Sequence, residues 1–181
     1  MKNLFILIHP QAQDSAINQG ITKALEAQQR TDTKIKNLYA LYPDFKIDIA
    51  QEQKDLQEAD RIVLQFPLYW YSAPALLKEW IDKVFTMGFA YSYDGSKTAL
   101  VGKKLLLSIT TGSGQETYTN NGQNKFSIEN ILLPFEGTAH FCKMIFEKPI
   151  LTYGAIPNLS QEALTQKIKQ HLELLQKALD A

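Results

Sequence analysis

The chain has 181 residues, and its 19 Lys+Arg balance 19 Asp+Glu to a formal net charge of zero. That balance excludes a bulk electrostatic pull toward nucleic acid or an acidic membrane surface. The single cysteine, Cys142, excludes an intramolecular disulfide and fits a reducing compartment, and the length suits one domain, residues 1–181, with a substantial core. Leu4-Phe5-Ile6-Leu7-Ile8 is a short apolar run, as expected of a strand covered on both faces, and too short for a signal segment or membrane span. Residues 16–29 read as a helix, and residues 34–39 as a weaker second strand that mixes polar and apolar side chains. A short helix is expected over residues 51–59 and a buried third strand over 61–66. Pro74 then opens an amphipathic helix running to Phe85. Residues 104–110 form the fourth strand. The next helix lies within residues 127–143, where Pro134 and Gly137 are expected to bend or split it. Residues 149–153 form the fifth strand. Ser160 caps the last helix, with Leu164, Ile168, Leu172, Leu175 and Leu179 as its apolar stripe.

This alternation predicts an α/β protein with a doubly wound, five-stranded parallel sheet. Two strand orders compete, the dinucleotide-binding one and the flavodoxin-like one, 2-1-3-4-5. The glycine fingerprint of the first is missing, because residues 9–18 contain no glycine. In either order, ligands bind at the carboxyl ends of the strands.

Four loops carry candidate chemistry. The first, His9 to Asn18, places Ser15 and Asn18 around the first turn of a helix, where free amides favour an anion. The alternative is that Ser15 simply caps that helix. The second, Phe66-Pro67-Leu68-Tyr69-Trp70-Tyr71-Ser72-Ala73-Pro74, is densely aromatic. Its three consecutive rings cannot all enter the core. They line a planar ring system or form a hydrophobic rim or dimer contact. The third follows the fourth strand, Thr110-Thr111-Gly112-Ser113-Gly114, with Tyr118 beyond. Its glycines allow backbone N–H groups close to a ligand, where they stabilise developing negative charge. The fourth, Gly88-Phe89-Ala90-Tyr91-Ser92-Tyr93, is a helix terminator with packed aromatics or an aromatic lid.

Other candidates are weaker. His140 and Cys142 stand two apart on a helix and face away from each other, so no metal site is expected. His171 in the last helix is expected at the surface or rim. Ser113 lies outside a nucleophile-elbow pattern, which argues against nucleophilic hydrolysis.

Taken together, these segments resemble the NAD(P)H quinone oxidoreductase family of flavodoxin-like flavoproteins over nearly the whole chain. The match also includes Leu38-Tyr39-Ala40-Leu41-Tyr42-Pro43-Asp44-Phe45 and Leu77-Lys78-Glu79-Trp80-Ile81-Asp82-Lys83-Val84-Phe85. The likeness is nearest to short bacterial members, including the ancillary oxidoreductase of the glutathione-regulated potassium-efflux system. The resemblance implies a flavin phosphate and ribityl loop at His9, Ser15, Ile17 and Asn18. It implies that Pro67, Leu68, Tyr69, Trp70 and Tyr71 hold the isoalloxazine ring, with Thr110, Thr111, Gly112 and Ser113 along its other edge. Tyr118, with Gly112, would stabilise the charge of the reduced ring. Tyr91 and Tyr93, with Trp70, would close over the substrate, the two tyrosines commonly from the partner of a homodimer.

Two departures stand out. A histidine found six residues after that tyrosine in larger animal members is Asn124 here, which donates a hydrogen bond but carries no proton. A glutamine common in the ring-binding loop is Tyr69. The absence of the long C-terminal extension of the animal enzymes favours FMN, with FAD as the alternative. The implied activity is two-electron, ping-pong hydride transfer from NAD(P)H to a quinone or related aromatic acceptor in the cytoplasm. The implied alternative is a regulatory subunit docked on a potassium-efflux transporter at the inner face of the membrane. A one-electron carrier fits less well, because such carriers are strongly acidic.

Overall fold

The computed structural model describes all 181 residues. Its centre is one parallel sheet in the order β2-β1-β3-β4, with β4 followed by two short pieces, β5 and β6. The strands are β1 (Asn3–Leu7), β2 (Thr33–Asn37), β3 (Arg61–Pro67), β4 (Lys104–Thr110), β5 (Ile145–Phe146) and β6 (Ile150–Thr152). The helices are α1 (Ala16–Glu26), α2 (Leu38–Leu41), α3 (Ile49–Glu58), α4 (Ala75–Val84), α5 (Ile128–Phe141) and α6 (Gln161–Asp180). This is the expected 2-1-3-4-5 sheet, its fifth position divided in two.

Successive strand side chains point to opposite faces. Leu4, Ile6, Ile62, Leu64, Phe66, Leu105 and Leu107 pack in the larger core with Leu76 and Trp80 of α4 and Ile131 and Phe135 of α5. Phe5, Leu7, Val63 and Leu106 pack on the other face against Ile17, Ile21 and Leu25 of α1 and Leu175 and Leu179 of α6. That second face also carries Gln65 and Ser108, register partners on β3 and β4, both fully buried. Beside β2, Lys36 donates to the buried Glu52 and, at 2.8 Å, to Asp55, while Tyr42 and Trp80 donate to Glu52 at 2.6 and 3.0 Å. This cluster ties β2 to α3 and α4. Burial opposes ionisation of Asp55, but hydrogen bonds from Lys34 and Lys36 outweigh it and hold its pKa below the usual range.

Several boundaries differ from the sequence expectation, each for a local reason. β2 stops at Asn37, whose side chain accepts from the Ala40 N–H and starts the short helix α2, so Leu38 and Tyr39 are helical. α1 ends at Glu26 rather than at Gln29, which has φ +49°. α3 begins earlier than expected, capped by Asp48. α5 is unbroken despite Pro134 and Gly137. Both lie on its exposed side, where the carbonyl freed by the missing N–H faces solvent, while Ile131, Leu132, Phe135 and Ala139 anchor the buried side. The fifth strand is split because Pro149 has no N–H to donate and Glu147 turns to Arg61. No helix is long and apolar enough to cross a membrane.

Candidate functional site

The parallel register brings the ends of the strands to one edge: Leu7 beside Gln65, Pro67 beside Thr110, and Thr110 beside Thr152. The loops after β1, β3, β4 and β6 therefore converge, and between them lies a cleft of about 640 Å³. Its walls include His9, Ser15, Ile17 and Asn18 from the first loop and helix. Pro67, Leu68 and Tyr69 come from the second loop, and Thr110, Thr111 and Gly112 from the third.

His9 is nearly buried. Its Nδ1 accepts the Gln11 backbone N–H at 3.1 Å, so the neutral ring carries its proton on Nε2, 3.4 Å from the Tyr69 hydroxyl. Burial pulls the His9 pKa down against the opposing charge of Asp14, which keeps the ring neutral at pH 7. Ser15 occupies the N-cap of α1 but makes no side-chain cap bond. Its Oγ instead accepts from Asn18 Nδ2 at 2.9 Å. The first amides of α1 thus keep their donors for a ligand at the positive end of the helix.

The second loop is a two-residue hairpin. Tyr69 and Ser72 exchange backbone bonds at 3.2 and 2.9 Å, and Trp70 and Tyr71 take φ +49° and +59°. Positive φ at both central positions is the type I′ turn, which normally selects Asn and Gly. Two bulky aromatics there are strained. The turn pushes the rings outward, leaving Trp70 94% exposed. Tyr71 donates to Asn124 Oδ1 at 3.2 Å, and Asn124 donates from Nδ2 to Thr117 Oγ1 at 2.8 Å, so the second and third loops are tied together. Around Gly112, Thr111 N–H donates to Thr152 and Gly154 N–H to Ser113 O. A Cβ on Gly112 would meet nothing within 4 Å, so open space lies over its backbone.

Not every expected residue lines the cleft. Trp70, Tyr71 and Asn124 stand at its rim, and Ser113 braces the loop through its carbonyl. Tyr118 is buried with its ring 5.8 Å from Tyr153. Tyr91 and Tyr93 are elsewhere. Tyr91 packs on Phe141 at 4.9 Å in a separate cleft between α4 and α5, and Tyr93 is exposed beside it. His140 is exposed and Cys142 buried, its thiol pushed up to about 11 by burial.

Three features escaped the sequence reading. Gln11 and Asp14 add to the first wall. Residues 155–159 form a fourth wall, placed by the register of β6 against β4. His171, expected at the surface, is buried between Ser108 and Thr152. A larger cavity of about 990 Å³ opens at the opposite, amino-terminal edge of the sheet. Two of its three lysines are committed, Lys103 to the carbonyls of Gln57 and Ala59 and Lys104 to Glu147, and the third, Lys97, is exposed, whereas the convergent hydroxyl and amide donors lie at the carboxyl edge.

A doubly wound sheet with an anion-ready first loop, an aromatic second loop and a glycine-bearing third loop defines a flavodoxin-like protein. The chain matches the family described as "Flavodoxin-like fold" over residues 1–177, and it belongs to the flavodoxin-like NAD(P)H oxidoreductases. It is 47% identical over 154 residues to the glutathione-regulated potassium-efflux system ancillary protein KefG of Serratia proteamaculans, covering 85% of this chain and 82% of that one. The crystal structure of general stress protein 14 from Treponema denticola in complex with FMN aligns with TM-score 0.89 at 34% identity, over 99% of each chain. A structure described as an NADPH-quinone reductase, from P. pentosaceus, aligns with TM-score 0.81 at 31% identity, over 96% of this chain and 97% of that one.

Proposed function

We propose that this protein is an FMN-dependent NAD(P)H:quinone oxidoreductase working by ping-pong exchange at the carboxyl-edge cleft. The observation that carries the reading is the convergence of uncommitted donors. The Ser15 and Thr110 hydroxyls each accept a bond from Asn18 and donate to no protein atom. They adjoin the uncapped start of α1 and the Nε2–H of His9. That set fits a phosphate monoester, and the open space over Gly112 fits the edge of a planar ring. FMN is favoured over FAD because the Treponema denticola relative, which spans nearly the whole chain, carries FMN.

Bound there, FMN would supply the hydride chemistry, accepting from NAD(P)H and giving to the acceptor. The chain's own groups would position and polarise. Ser15, Asn18 and the α1 amides would hold the phosphate, with His9 as a neutral donor. Leu68 to Tyr71 would fix one edge of the ring, and the backbone amides of Gly112 and Ser113 the other, since the Thr111 N–H is taken by Thr152. Tyr118 would stabilise negative charge at that edge. Asn124 braces Tyr71 and the third loop. Donor and acceptor would stack in turn beside Trp70, which is the basis of the ping-pong order. Tyr91 and Tyr93, remote from this cleft, would cover the cleft of a second copy in a homodimer, beside the exposed Leu133 and Phe141 of α5.

The test is the visible spectrum of purified protein before and after anaerobic NADPH, with the released flavin identified by mass. A yellow protein that bleaches on mixing and releases FMN is expected. A colourless protein that refuses both flavins would sink the enzyme reading. The likeness to KefG supports a second reading, in which the protein docks on the cytosolic part of a potassium-efflux transporter. Co-purification with that transporter tests it, and consistent failure to co-purify counts against it.

A further inference from the structure

We propose that His171 is a positioning residue for anion binding in the cleft, setting the direction of a buried hydrogen-bond chain that leaves Ser15 and Thr110 as donors. The chain crosses the sheet on the face covered by α1 and α6. Its members are Thr152, His171, Ser108, Gln65 and Asn18, all buried and none carrying a formal charge as the neutral His171 stands.

The polarity follows from the cleft end. Asn18 Nδ2 donates both its protons, to Ser15 Oγ and to Thr110 Oγ1, each at 2.9 Å. Asn18 Oδ1 accepts from Gln65 Nε2, and Gln65 Oε1 accepts from Ser108 Oγ. The only proton of Ser108 is now used, so its contact with His171 Nε2 requires that nitrogen to donate. His171 Nδ1 is then bare and accepts from Thr152 Oγ1 at 2.7 Å. Every bond runs toward the cleft. At its end, Ser15 and Thr110 have their lone pairs engaged by Asn18 and their protons free.

Reversing the chain requires the other tautomer, with the proton on Nδ1. Asn18 would then offer its carbonyl to Ser15 and Thr110 and take up their protons. The tautomer of a ring at the other end of the chain, on the same face of the sheet, therefore decides whether the cleft offers hydroxyl donors or withholds them. Nothing in the apolar stripe of α6 requires a histidine at this position. A leucine would serve packing alone.

This inference rests on the cleft being a flavin phosphate site, and riboflavin, which lacks the phosphate, separates the two. FMN and riboflavin affinities are measured by fluorescence quenching for the native chain and for Ser108→Ala, His171→Phe and His171→Gln. The native protein is expected to prefer FMN. Ser108→Ala and His171→Phe are expected to cut that preference about tenfold with riboflavin affinity little changed. His171→Gln, which still offers an N–H to Ser108, retains most of it. Nitrogen-15 NMR of labelled histidine is expected to show the Nε2–H form of His171. If His171→Phe fails to fold, Ser108→Ala carries the test. An unchanged preference in the folded variants, or an Nδ1–H tautomer, overturns the inference alone. A native protein that binds FMN no better than riboflavin overturns the phosphate reading and the inference with it.

Discussion

Tyr118 and Trp70 represent two ways in which one residue would serve the cleft under the proposed function. Tyr118 is held by burial beside Tyr153, whose own pKa is raised by burial. Tyr118→Phe keeps that packing and removes only the hydroxyl. Single-turnover reduction of bound flavin by NADPH is expected to slow at least about tenfold, as for loss of one charge-stabilising donor. An unchanged rate would remove Tyr118 from the chemistry. Trp70 is held by a strained backbone and buries almost nothing. Trp70→Gly is expected to raise stability by about 1 kcal/mol, or roughly 2–4 °C in Tm, while weakening ring binding. A fall in Tm would show that the indole packs in solution. The aromatic loop was legible from its composition, because three adjacent rings could not all enter the core. His171 was less legible, although the signal existed. It falls three residues after Ile168 and four before Leu175, on the buried stripe of α6. A histidine there needs polar partners inside, and only strand register shows that Ser108 and Thr152 supply them.

At the level of elements, β1, β3 and β4 were readable because strands buried on both faces are apolar runs. α1, α4 and α6 were readable from their periodic apolar positions, whereas α3, with Leu56 as its one large apolar residue in the expected range, was read only as a short helix. The fifth strand was readable in part: the expected residues 149–153 contain β6, while the extra piece β5 had no signal. Its two pieces are only 2 and 3 residues long, and they pair with opposite ends of β4. What anchors the break is Arg61, fully buried at the start of β3. It makes a bidentate pair with Glu147 at 2.8 and 3.0 Å and donates to Asn3 at 3.3 Å. Glu147→Ala would leave a buried guanidinium without its counter-charge. A loss of about 3 kcal/mol is expected, read from urea unfolding. A loss under about 1 kcal/mol would mean that the pair behaves as a surface ion pair. The loop after β6, the fourth wall of the cleft, has no compositional mark of its own. It becomes part of the site only because Thr110 and Thr152 are register partners.

For the molecule as a whole, the buried His171 makes stability depend on pH. Burial alone lowers its pKa to about 4, and its ring nitrogens bond only to the hydroxyls of Ser108 and Thr152. Between the ordinary histidine value and about 4, the unfolded chain binds a proton that the folded chain refuses. Stability therefore holds above pH 6.5 and falls as pH drops through this window, by up to about 3 kcal/mol. Asp55, with its lowered pKa, adds a loss of the same sign at lower pH still. Urea midpoints at neutral and mildly acidic pH check this, and His171→Gln is expected to flatten the upper part of the slope. An equally steep slope in that variant would assign the effect to other groups. The interrupted fifth strand has a further consequence. An open sheet ends in two rows of unpaired amides, which recruit strands from other molecules and seed aggregates. On one side β2 carries Lys34 and Lys36. On the other, the break between β5 and β6, with Pro149 in it, leaves no continuous ladder long enough to template a neighbour. This irregularity thus helps to keep the folded molecules apart at high concentration.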